Sequence, residues 1–342
     1  KSEGAMIRIS VIGSGTWGTA LGILLQAKGY SVTLWSAVED EVRTLSHSRI
    51  HPNLPGIELS KEMIVTGNLE EAMAEKDLLV MAVPSVYVRQ TAARMRPWCR
   101  KGQIVVNVAK GIEETTLKTL AQVIGEELPM ADVAVLSGPS HAEEVSRGLP
   151  TTCVAGAGTR KTAEFIQDIF MNEVFRVYTS PDVLGIELGS ALKNVIALAA
   201  GIADGLGYGD NAKAALITRG IAEIARLGMA MGGNVKTFSG LTGIGDVIVT
   251  CASMHSRNRR AGILIGQGKS MQEAMDEVQM VVEGVYSAKA ALALAQKYGQ
   301  SMPIIQQVNA VLFEGKNPRE AVNELMLRDK RKEASDLLWE EE

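Results

Sequence analysis

Apolar positions recur along the chain with two different periods, and the change from one to the other divides it. Residues 7–12 (IRISVI) form a short β-branched run. Ala20, Leu21, Leu24 and Leu25 follow at helical spacing, with Gly29 as a natural stop. The run 31–35 (SVTLW) predicts a second strand. Asn68 suits the cap of a helix over 68–75, and 77–83 (DLLVMAV) is a continuous apolar run ended by Pro84, as a buried strand should be. Further strands are predicted over 103–111, 132–140, 151–156 and 175–179. The strand pattern stops near Pro181. From 183 to 325 nearly every segment has helical periodicity, predicting helices over 191–206, 212–231, 271–278, 286–297, 303–313 and 318–325.

Between the first strand and the first helix lies VIGSGTWGTAL, residues 11–21, with Gly13, Gly15 and Gly18 in G-x-G-x-x-G spacing. The spacing alone is weak, but its place in a strand–turn–helix–strand unit makes it a dinucleotide fingerprint. Gly13 permits the tight turn, Gly15 lets the backbone approach a pyrophosphate, and Gly18 lets helix and strand pack closely. Free N–H groups at the helix start would face the anion. The fold class is therefore α/β: a Rossmann-type doubly wound sheet over 6–182, an all-helical domain over 183–328, and a charged tail over 329–342. In such a sheet ligands bind outside the carboxyl ends of the strands, which places Pro84, Lys110, Gly138 and Ser140 along one crevice. NAD and NADP are not separated by this pattern. Ser36, Ala37 and Val38 follow Trp35, Glu39 and Asp40 arrive slightly late, and Arg43 lies a turn further on.

Composition narrows the options. A chain of 342 residues with 46% hydrophobic and 22% charged residues is ordinary for a two-domain globular protein. A net charge of −4 argues against a nucleic-acid-coating surface. Cys99, Cys153 and Cys251 are few and far apart, so neither a disulfide nor a metal site is predicted, and reduced thiols in the cytoplasm are expected. No uninterrupted apolar run approaches the length of a membrane span. Met6 reads as the native start, with residues 1–5 an added leader, and the tail as a solvated end.

The chemistry is concentrated in the helical half. In ELGSALKNVIALAAGIADG, residues 187–205, Lys193, Ala197, Ala200, Gly201 and Asp204 share one helical stripe. Apart from its two charged members the stripe is small, so another element should approach it closely. A lysine in so apolar a helix either reaches the surface or is desolvated toward the pKa range of a general base, and spacing leaves both open. LTGIGDVIVTC, residues 241–251, sets Asp246 after two turn glycines, where it could pair with a lysine. Ser256, Arg257 and Asn258 offer hydroxyl, guanidinium and amide donors in sequence, a set that suits a phosphate. Arg259 and Arg260 read as a solvated basic turn.

With these motifs in order, the chain resembles the NAD(P)-dependent glycerol-3-phosphate dehydrogenases of bacterial type from Met6 to about Leu327. The shared pattern is G-x-G-x-W-G at 13–18, VPS at 83–85, KG at 110–111, SGPS at 137–140, KN at 193–194, GxGD at 243–246, SRN at 256–258 and VEG at 282–284. The resemblance implies reversible reduction of dihydroxyacetone phosphate to sn-glycerol 3-phosphate for phospholipid synthesis, by a homodimer without a metal. It implies Lys193 as proton acceptor in oxidation and donor in reduction. It places Lys110, Gly138, Ser140, Lys193, Asp246, Ser256, Arg257 and Asn258 on the substrate. Thr16, Trp17, Lys110, Ala142, Arg257, Val281 and Glu283 would touch NAD(P) beside the glycines. Many bacterial members carry a basic residue after the second strand. Ser36 and Ala37 stand here instead, predicting NADH and NADPH use within about an order of magnitude. A related β-hydroxyacid dehydrogenase and a non-catalytic dinucleotide-binding redox sensor are the alternatives. The SRN segment counts against the first, and the lysine with its phosphate site against the second.

Overall fold

The structure, a computed structural model, describes residues 5–340, so the leader assigned to 1–5 lies almost wholly outside it, as do the last two residues of the tail. The strands are β1 (Arg8–Ile12), β2 (Ser31–Trp35), β3 (Ile64–Thr66), β4 (Leu78–Met81), β5 (Ile104–Asn107), β6 (Asp132–Ser137), β7 (Thr151–Gly156) and β8 (Phe175–Ser180). They form one sheet in the order β3-β2-β1-β4-β5-β6-β7-β8, with Val11 paired to Leu34 on one side and Val80 on the other. All neighbours are parallel except β6 and β7. The order reverses between β1 and β4, which opens a crevice at the carboxyl ends of the strands.

Helices α1 (Thr16–Ala27), α2 (Glu39–Ser48), α3 (Leu69–Met73), α4 (Val88–Met95), α5 (Leu120–Glu127), α6 (Ala142–Val145) and α7 (Arg160–Phe170) accompany the sheet. Leu21 and Leu25 of α1 pack with Ile166 and Phe170 of α7 on one face, and Ala92 and Met95 of α4 with Val123 and Ile124 of α5 on the other. Sheets covered on both faces are apolar throughout, and β4 is wholly buried. Strand β3 escaped the periodicity because it has three residues and an exposed Ile64. The helix capped by Asn68 stops at Met73, short of the predicted 75, because the chain turns there and Glu75 takes φ 52°. β4, β5 and β6 also end early, at Met81, Asn107 and Ser137, and the residues beyond become the crevice loops.

The second half is α8 (Val183–Gly205), α9 (Asp210–Ala230), α10 (Val235–Phe238), a π-helical turn (Leu241–Gly245), α11 (Asp246–Ala252), α12 (Arg257–Gly266), α13 (Met271–Val278), α14 (Glu283–Lys297), α15 (Pro303–Phe313) and α16 (Pro318–Met326). Helix α8 is mostly apolar because nearly all of its length is packed, Gly185 to Ala203 being buried. It is long and apolar enough to cross a membrane, but 83% of its apolar window is buried inside the protein. It begins eight residues before the predicted 191, where the Asp182 carboxylate caps Gly185 N. The small stripe does admit a neighbour. A Cβ at Gly201 would run into the carbonyl of Arg259, one at Gly205 into that of Ile263, and one at Gly262 into that of Leu198. Helices α8 and α12 therefore meet backbone to backbone.

Candidate active site

A cleft of about 180 Å³ lies at the carboxyl ends of the strands, between the sheet and α8, α11 and α12. Its sheet side is the glycine turn. Gly13 takes φ 125°, and a Cβ there would strike the backbone of Ala82; a Cβ at Gly18 would strike the Gly13 carbonyl. At Gly15 nothing lies within 4 Å, so a side chain would instead project into the cleft that Gly15, Thr16 and Trp17 line. The first N–H groups of α1 open on the same space. An open, donor-rich cradle that a Cβ would fill fits a pyrophosphate. Ala142, Val281 and Glu283 line the cleft further along, while Gly13 and Gly18 shape it from behind.

At its floor, Asp246 joins two lysines. Lys193 of α8 donates from Nζ to Asp246 Oδ1 at 2.9 Å and to Thr250 Oγ1 at 2.7 Å, and Lys110 donates to Asp246 Oδ2 at 2.8 Å. Lys110 also reaches the Gly138 carbonyl at 3.0 Å, and Ser140 Oγ donates to that carbonyl at 2.9 Å. Asp246 is 1% exposed and Lys193 6%, so the pair is dry, with Lys193 and Lys110 both on the cleft wall. Burial pushes the Lys193 pKa down to about 8; the Asp246 carboxylate opposes this and the Lys110 charge adds to it. Burial would raise the Asp246 pKa, but Lys110 and Lys193 together outweigh it and hold the carboxyl below its ordinary range. Lys193 is thus desolvated and paired, which settles the choice that spacing left open. The two glycines before Asp246 are not in a turn as predicted. They belong to a π-helical turn continuous with α11, and a Cβ at Gly243 would overlap the Phe238 backbone.

The 256–258 segment differs in detail from its sequence reading, because α12 starts there. Ser256 caps the helix, its hydroxyl accepting from Arg259 N at 3.1 Å. The Asn258 amide is spent inside the protein, donating to Asn194 Oδ1 at 3.1 Å and accepting from Gly284 N at 2.8 Å. Arg257 has no hydrogen-bond partner among the described residues and lines the cleft, so the free donors are its guanidinium and the first N–H groups of α12. Burial lowers its pKa, countered by Glu283 and Glu143, and it stays a cation. Arg259 and Arg260 are not a solvated turn. Arg259 donates to Asp204 at 2.9 Å beside Lys213, and Arg260 Nε is buried without a partner among the described residues.

Glu283 accepts from Ser85 N at 3.0 Å and from the Ser85 hydroxyl, tying the start of α14 to the loop after β4. Burial raises its pKa, against those bonds and Arg257. Thr250, Asn194, His141 and His255 also line the cleft and were missed from sequence. Thr250 was accessible, being one turn beyond Asp246 on an apolar helix. His141 gave no signal: it approaches the Val249 carbonyl at 3.4 Å, and burial with the Lys193 and Lys110 charges pushes its pKa down to about 4.

The same assignment emerges from comparison with known proteins. Residues 8–163 match the model of the NAD-dependent glycerol-3-phosphate dehydrogenase N-terminus, and 182–323 that of its C-terminus. A glycerol-3-phosphate dehydrogenase [NAD(P)+] of Agathobacter rectalis is 63% identical over 98% of this chain and 100% of its own. One of Fusobacterium nucleatum is 61% identical over 96% and 99%. The crystal structure of glycerol-3-phosphate dehydrogenase from Coxiella burnetii superposes with a TM-score of 0.92 at 35% identity, covering 94% of this chain and 99% of that one. The similarity runs along nearly the whole length of these relatives, and the chain belongs to the NAD-dependent glycerol-3-phosphate dehydrogenase family.

Proposed function

We propose that the cleft reduces dihydroxyacetone phosphate reversibly to sn-glycerol 3-phosphate, with Lys193 as the acid in reduction and the base in oxidation. The observation that carries these roles is the buried Lys193–Asp246 pair, joined by a part-exposed Lys110, in a cleft with one guanidinium that has no partner among the described residues. NAD(P)H, when bound at the glycine turn, supplies the hydride. Arg257 and the α12 N-terminus hold the phosphate, which sets the carbonyl against Lys193 at a fixed reach. Charge develops on the C2 oxygen during reduction, and the Lys193 ammonium stabilises and then protonates it, with Lys110 adding positive potential. Asp246 keeps both ammoniums aimed, and Thr250 fixes the Lys193 rotamer by accepting from it. Ser256 and Asn258 act through α12, the first by capping it and the second by joining it to α8 and α14. Residues 6–182 serve as the cofactor unit and 183–328 as the substrate unit, in a cytoplasmic homodimer supplying phospholipid synthesis.

The test is Arg257→Lys, which keeps the charge and loses the planar fork. It should lower kcat/KM for dihydroxyacetone phosphate by about 1.5–3 kcal/mol and hardly change the slow turnover of unphosphorylated dihydroxyacetone. Equal losses on both substrates would show that Arg257 does not bind the phosphate.

A further inference from the structure

One carboxylate near the glycine turn has no part in the chemistry above. Glu41 is the third residue of α2, the helix that folds back over the end of β2. Its Oε2 accepts from Ser14 Oγ at 2.9 Å and from Ser36 Oγ at 2.6 Å. Ser14 stands between Gly13 and Gly15, and Ser36 directly follows β2, where its Oγ also accepts from Val38 N at 3.1 Å. Both serines are buried, while Glu41 is exposed. The carboxylate is therefore anchored through one oxygen, and Oε1 has no partner among the described residues.

The glycine turn and the end of the second strand are the two places a Rossmann fold brings to the adenosine ribose of its dinucleotide. There a carboxylate accepts from a ribose 2′-hydroxyl and repels a 2′-phosphate. The surrounding charge has the same sign, since Glu39 and Asp40 share the first turn of α2. The nearby cations are turned elsewhere: Arg43 pairs with Asp40 at 3.1 Å, and the Arg94 guanidinium sits 5.5 Å from the centre of the Trp35 ring. No lysine or arginine occurs from 36 to 42.

We infer that Glu41 is the residue that selects NAD(H) against NADP(H), with Ser14 and Ser36 holding it in place. The inference rests on the dinucleotide reading of the cleft and narrows the cofactor choice within it. The carboxylate comes from the first turn of the helix rather than from the strand end, which is why the spacing of the second strand does not reveal it.

The test is direct titration of NADH and NADPH by calorimetry without substrate, alongside kcat/KM for each. The parent should favour NADH by roughly a hundredfold in both measures, beyond the order of magnitude that Ser36 and Ala37 alone predict. Glu41→Gln removes the charge at nearly constant shape on an exposed helix. It should tighten NADPH about tenfold while weakening NADH only a few-fold, and Glu41→Ala should move the ratio the same way. A parent that binds NADPH as tightly as NADH overturns the inference, as does a Glu41→Gln variant in which both dissociation constants move by one factor. Binding of neither cofactor would sink the dinucleotide reading itself, and this inference with it.

Discussion

Asp246→Asn tests the centre of the site, because it deletes one charge while leaving the shape of the cluster. In the parent the carboxylate lies 2.9 Å from the Lys193 ammonium and 2.8 Å from that of Lys110. At an effective dielectric constant near 20, a charge pair at about 4 Å is worth about 4 kcal/mol, or roughly three pKa units. Burial already brings Lys193 down to about 8 even with Asp246 charged. Without that charge, and with Lys110 still facing it, the Lys193 pKa should fall well below neutral. At pH 7 only a few per cent of the variant would carry the proton that reduction needs. Reduction of dihydroxyacetone phosphate should drop on the order of a hundredfold, population and lost positioning together. Lowering the pH from about 7 to 5.5 should recover part of it, roughly tenfold. In the parent, reduction should instead weaken, and oxidation of sn-glycerol 3-phosphate strengthen, as pH rises through about 8. The assay is NADH absorbance over the pH range, with cofactor titration to confirm folding. A variant profile that keeps the parent midpoint would refute the assignment of that midpoint to Lys193 held by Asp246.

Three further outcomes follow from other parts of the structure. Lys193→Ala should lower kcat by a hundredfold or more and leave the cofactor dissociation constant unchanged; near-normal turnover would remove Lys193 from the proton transfer. Gly201→Ala sets a methyl against the Arg259 carbonyl, so it should cost about 1–3 kcal/mol and lower Tm by several degrees in a thermal melt, and an unchanged Tm would mean that the seam can open freely. Glu187 is buried, and burial pushes its pKa from 4.5 up to about 8 despite hydrogen bonds from Asn107 Nδ2 and Ala121 N. Because the folded value is the higher, its neutral carboxyl contributes stability that is complete below pH 4.5 and lost as pH rises to about 8. Melting temperatures from about pH 5 to 8 should fall less in Glu187→Gln; equal slopes would clear Glu187 of the effect.

The amino-acid pattern carried the architecture well where the physics is local. Strands 31–35 and 151–156 and the isolated helices 271–278 and 303–313 matched to the residue, because each has its own period or cap. It failed where structure is set by contact. Helix α12 reads RNRRAGILIG, which has charge at one end and glycines within; it exists because those glycines fit against Gly201 and Gly205. The same segment shows how site legibility divides. Its residue types announced anion chemistry, but only the fold tells that Ser256 and Asn258 are spent on structure and that Arg257 has no hydrogen-bond partner among the described residues. Glu41 is the reverse case, a residue with no motif whose place is set by two serines from separate loops.

The glycine seam between α8 and α12 also constrains how the molecule can move. Lys193 rides on α8 and Arg257 on the first turn of α12, and the two helices are interlocked through carbonyls that leave no room for sliding. The proposed proton donor and the proposed phosphate anchor are in effect mounted on one block, so the distance between them would be a fixed ruler for a three-carbon substrate. Any closing motion must carry that ruler whole, and what it adjusts is the gap to the glycine turn on the sheet. Longer or shorter phosphorylated ketones would then be refused by geometry before any side chain had to reject them.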